Sequence, residues 1–102
     1  MSYATRLANV VTRTMNAEQA AKAVYGELRS IAADEGYDPD KEVMIRAPGE
    51  ARHFDDDTCW CVAYEAGEYD WAIGASFALC GALGKIVDPY YGFDLCFYPS
   101  ED

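Results

Sequence analysis

The chain lacks most of the features that make a short sequence easy to assign. It has one histidine, His53, and three lysines against eighteen acids. It has no uninterrupted run of about 18 apolar residues, which excludes a membrane-spanning helix. The longest candidate, residues 71–83, is short, interrupted by glycine and closed by Lys85. The opening MSYATRLANVV has no basic region, apolar core or cleavage site of a secretory signal, so a cytoplasmic protein is expected, in a host cytoplasm if the gene is phage-borne. Gly74, Gly81 and Gly84 have neither the spacing nor the strand–turn–helix setting of a phosphate or dinucleotide loop.

What is present is charge, and it is sorted along the chain. Residues 1–33 carry Arg6, Arg13, Lys22 and Arg29 against Glu18 and Glu27, a net of +2. Residues 34–102 carry sixteen acids against Lys41, Arg46, Arg52 and Lys85, a net of −12, which makes the total −10. Such a field attracts basic surfaces and repels nucleic acid and anionic membrane. With 51% hydrophobic and 14% aromatic residues, the chain is too apolar to be a disordered acidic tail. Its 102 residues make one domain with one modest core.

Periodicity divides the domain in two. Tyr3, Leu7, Val10, Val11 and Thr14 fall on one side of a helix over residues 2–14. Asn16 reads as an N-cap, with Gln19 three residues on as its capping-box partner. A second helix runs from Ala17 on Ala20, Ala21, Val24, Leu28, Ile31 and Ala32. Gly36 ends it and Pro39 bars continuation. The helical segment thus covers residues 2–35.

From residue 42 to 98 the period is two. A short strand over 42–47 stops at the Pro48-Gly49 turn. A second strand over 59–66 alternates Trp60, Val62 and Tyr64 with Cys59, Cys61 and Ala63, and Gly67-Glu68 suits a hairpin turn into a return strand at 69–77. Residues 78–86 read as a turn or short helix broken by Asp88-Pro89. A last strand over 93–98 sets Phe93, Leu95 and Phe97 against Asp94, Cys96 and Tyr98. The expected fold is α+β: two N-terminal helices packed on a 3–4-stranded antiparallel sheet, a two-layer sandwich. Its core joins Val24, Leu28 and Ile31 to Trp60, Val62, Trp71, Ile73, Leu95 and Phe97.

Chemistry is sparse in this pattern. His53 stands beside Asp55, Asp56 and Asp57, and Cys59, Cys61 or Cys80 could in principle lie near it, but no local motif makes a Cys–His nucleophile of them, and a loop histidine is the expected role. Asp55, Asp56 and Asp57 lack the glycine and terminal glutamate of a calcium loop. Cys59 and Cys61 on a strand share a face, about 6.6 Å apart along the chain. They suit a metal only if Cys80 and Cys96 converge on them, and buried thiols are the expected state. No catalytic residue, metal or cofactor is assigned.

The remaining signal is a negative rim interleaved with tyrosine. It comprises Asp55, Asp56, Asp57, Glu65, Glu68, Asp70, Asp88, Tyr90, Tyr91 and Asp94, with Asp38, Asp40 and Glu42 leading into the first strand. Tyrosine is enriched at binding hot spots, and complementary charge speeds capture of a partner. In size, charge and lack of motif, the chain resembles the small acidic phage and plasmid proteins that inhibit host nucleases, anti-CRISPR and anti-restriction proteins among them. That likeness implies a non-enzymatic inhibitor and possible nucleic-acid mimic whose partner is a basic nucleic-acid-handling protein, with no direct contact to nucleic acid or membrane. The alternatives are an assembly domain, such as an antitoxin or a homo-oligomeric accessory subunit (a homodimer among the options), and acidity that serves solvation at high salt.

Overall fold

The computed structural model describes residues 3–49, 59–65, 87–90 and 94–97. The element order begins with α1 (Tyr3–Val11), α2 (Ala17–Asp34) and the single turn α3 (Pro39–Glu42). Four strands follow: β1 (Val43–Arg46), β2 (Trp60–Tyr64), β3 (Val87–Tyr90) and β4 (Asp94–Phe97). They form one antiparallel sheet in the order β1-β2-β4-β3. Helix α2 lies against β1, β2 and β4, and α1 packs along α2. The α+β layering expected from the sequence is what forms.

Local chemistry explains the ends of α2. Asn16 accepts a hydrogen bond from the Gln19 amide at 2.9 Å, and Gln19 Oε1 accepts one from the Met15 amide, also at 2.9 Å. The box therefore closes one residue earlier than its usual form, on Met15 rather than on the cap itself. At the other end Gly36 takes φ +87°, which a residue with a Cβ reaches only under strain. The Tyr37 amide then bonds to the Ala32 carbonyl at 2.9 Å and the Gly36 amide to Ala33 at 3.1 Å. This pair of bonds satisfies carbonyls that the helix end would otherwise leave open.

Two prolines play parts that the sequence reading did not assign. Pro39 does more than stop a helix: it occupies the first turn of α3 behind the cap Asp38, a place where its missing N–H costs nothing. Pro89, expected to break whatever precedes it, lies inside β3, at the edge of the sheet formed by the described residues. Among the described residues β3 has one strand neighbour, β4, and a proline is tolerated where its missing N–H faces away from that neighbour.

The core also differs from expectation in its membership. Leu7 and Val11 of α1 join Val24, Leu28, Ile31, Val62, Leu95 and Phe97, and so does Tyr64, which is fully buried. Trp60 packs partly against this cluster, with Lys22 Nζ 5.5 Å above its ring. The expected core members Trp71 and Ile73 lie outside the described residues, as do the return strand at 69–77 and the segment 78–86. The two neighbours of β2 are not sequence-local: its places on either side belong to β1 and β4. A hairpin turn is a local preference, and here long-range apolar pairing set the neighbours of β2.

Both caps are testable. Asn16→Ala and Gly36→Ala should each lower stability by about 1 kcal/mol. Each should cost about 4–8 °C in Tm in a thermal melt, with helical content retained.

Candidate functional site

The alternation of β2 and β4 sends side chains to two environments. Val62, Tyr64, Leu95 and Phe97 face the helices, while Cys61 and Cys96 lie between them in sequence and so project from the other face. Two candidate sites result, an acidic end on the helix side and a sulfur cluster behind the sheet.

The acidic end is built where α2 stops. Asp34 and Glu35 close that helix, Asp38 and Asp40 start α3, and Glu42 ends it. The Glu65 amide donates to the Glu42 carbonyl at 2.8 Å, so the exposed Glu65 after β2 comes to the same end. Tyr37 sits among them with 47% of its surface exposed. The last turn of α2 has no basic residue. Acids there oppose the helix dipole, which favours cations at a C-terminus.

Tyr64 ties this end to the core. Its hydroxyl donates to Glu35 Oε1 at 2.8 Å while its ring is buried. Burial, and then the bond to the Glu35 carboxylate, push the phenol well above its ordinary value of 10.0.

Most of the helix-borne cations are already engaged. Arg6 bonds Glu27 at 2.7 Å and reaches Asp34 at 3.8 Å. Lys22 meets Glu18 at 3.6 Å, and Arg29 meets Asp40 at 2.6 Å. The Asp40 hydrogen bond raises the Arg29 pKa. The positive charge of the N-terminal half is thus largely spent inside the molecule.

Of the residues singled out in the rim, Glu65 is placed at this end. Asp88 and Tyr90 fall on β3 and Asp94 on β4, where Tyr90 and Asp94 are register partners. Asp55, Asp56, Asp57, Glu68, Asp70 and Tyr91 lie outside the described residues, as do His53 and Cys80. The structure therefore joins Glu65 to Asp38, Asp40 and Glu42. It adds Asp34, Glu35 and Tyr37, which sequence reasoning passed over. Tyr37 had no readable signal, because an apolar residue just past a glycine helix stop commonly packs back on the helix.

The second site is compact. Cys59, Cys61 and Cys96 are 1%, 2% and 1% exposed and form a cluster separate from the aliphatic core. Cys61 and Cys96 are directly opposite across β2 and β4. Their sulfurs are 3.3 Å apart, and the Cys59 and Cys61 sulfurs are 4.0 Å apart. All three sulfurs lie within 4.8 Å of one another. The contact with Cys61, and then burial, push the Cys96 thiol far above the usual thiol range. A protonated, buried thiol is a poor nucleophile. Among the described residues this is the one group of three metal-ligating side chains.

No helix among the described residues is long and apolar enough to cross a membrane. No protein-family model matches the chain, nor does any curated protein or solved structure.

Tyr64→Phe should remove the Glu35 bond at a cost of about 1 kcal/mol, since the carboxylate partner is solvated. A folded-state phenol that titrates above its unfolded value contributes stability below pH 10.0 and loses it as pH climbs towards the folded-state value. Denaturant melts from pH 8 to about pH 11 should therefore show a steeper alkaline decline in the wild type than in Tyr64→Phe.

Proposed function

We propose that this protein works by binding rather than by catalysis. Its partner is the basic surface of a nucleic-acid-handling protein, such as the nucleic-acid channel of a nuclease or CRISPR-type defence complex. Carboxylates at the acidic end would meet the arginines and lysines that otherwise hold phosphates. The observation that supports this reading most directly is the end of α2. Acids gather where the helix dipole disfavours them, around a half-exposed tyrosine, and they outnumber Arg6 and Arg29, which pair there with Asp34 and Asp40. A local rule broken at a helix end is expected at functional or strained sites.

Two competing explanations fit less well. A solvation adaptation should acidify every exposed face, yet residues 1–33 net +2. An assembly domain with a dry interface needs a contiguous apolar patch. Among the described residues the large exposed apolar side chains are Met15 and Tyr37, at opposite ends of α2.

The test is cleavage by a guide-loaded CRISPR effector and by a restriction endonuclease, each titrated with the protein. Inhibition of one of them is expected at low salt. It should weaken steeply as ionic strength rises from about 0.05 to about 0.5 M and the screening length shrinks. The triple variant Asp34→Asn, Glu42→Gln, Glu65→Gln should lose at least ~10-fold in inhibition. Its Tm should hold or rise, because like charge at a helix end has been removed. Inhibition of neither enzyme, or inhibition that the triple substitution and salt leave unchanged, overturns the proposal.

A further inference from the structure

The sulfur cluster plays no part in the acidic surface, and its geometry asks for a separate explanation. A cysteine in a core ordinarily serves as a small apolar side chain. Three of them converging behind one sheet do something more specific. Cys59 and Cys61 share a face because they are two residues apart, and the antiparallel register sets Cys96 opposite Cys61. Three distances then matter: 3.3 Å, 4.0 Å, and a third of at most 4.8 Å. A point equidistant from sulfurs so spaced lies about 2.1–2.4 Å from each, against a zinc–thiolate bond of about 2.3 Å.

We propose that Cys59, Cys61 and Cys96 form a binding site for a single thiophilic metal ion of the class of Zn(II) and Cu(I). Each ligating sulfur releases its proton to solvent as the metal–sulfur bond forms, with no change of oxidation state. Without the cation the cluster has a reason to stay neutral: burial and mutual contact hold its protons on. A bound cation reverses that balance, because its charge stabilises the thiolates it coordinates. Soft thiolates in a dry setting select soft metals over magnesium or calcium. Three thiolates suffice for Cu(I), whereas Zn(II) takes a fourth ligand. The two metals therefore serve as separate arms of the test.

The full-length protein, reduced and stripped with a chelator, is titrated under argon with Zn(II) alone and with Cu(I) alone. One-to-one binding of either metal is expected, with a rise in Tm, because the ion binds the folded chain. Cys61→Ala, which removes the central sulfur, should lose at least ~100-fold in affinity. A readout on the wild type guards against a variant that fails to fold. Alkylation followed by mass spectrometry should show at least three of the four cysteines protected when metal is present and the chain is mildly loosened with urea. Protection of Cys59, Cys61 and Cys96 supports the site with or without Cys80. Stoichiometric binding of neither metal, affinity unchanged in Cys61→Ala, or recovery of a Cys61–Cys96 disulfide that excludes metal would each overturn it.

Discussion

The fold depends on β2 being buried on both of its faces. Four of its five residues, Cys61 to Tyr64, are shielded from solvent. One face completes the aliphatic core under α2 and the other carries the sulfurs. A strand with period two cannot shift by one residue without exchanging those faces. A slip would send thiols into the helix-side core and turn Val62 and the Tyr64 ring away from it. The register is held at both ends, by the Tyr64 bond to Glu35 and by the pairing of Cys61 with Cys96. The same register brings Glu65 against Glu42. Both candidate sites are therefore consequences of one alignment.

What was legible in the sequence was what local physics decides. Asn16, Gln19 and Gly36 announced α2, and its stripe from Ala20 to Ala32 announced which side is buried. The alternation of Trp60, Val62 and Tyr64 with the cysteines, and of Leu95 and Phe97 with Cys96, also carried over to the sheet. Partner choice was not legible. Gly67-Glu68 favours a local hairpin, but the neighbours of β2 come from about 20 residues upstream and 35 downstream, a matter of core packing that no short window contains. For the same reason the C-x-C pair could be placed on one face from sequence, whereas its meeting with Cys96 could not.

The electrostatic pattern is also sharper in three dimensions. Along the chain it is a basic first third and an acidic remainder. In the fold, Arg6 and Arg29 reach from the helices towards Asp34 and Asp40, so the boundary between the two halves is stitched by ion pairs. These pairs are exposed, and each adds little to stability. They offset part of the acidic end, where acids still outnumber these two cations. Glu35 differs from its neighbours in having a structural task, since it holds the Tyr64 hydroxyl.

The acidic end and the sulfur cluster meet in β2 without sharing a side chain. A metal held by Cys59, Cys61 and Cys96 would clamp β2 to β4 in the register the core already prefers. Tyr64 leaves the same strand on the helix side and Glu65 follows it. Ordering of β2 from behind would therefore reach the acidic surface through the backbone alone, with no change in its charge. Loss of the metal and loss of the carboxylates would then act on different quantities. The first would alter how firmly the surface is held, and the second how strongly it attracts a basic partner.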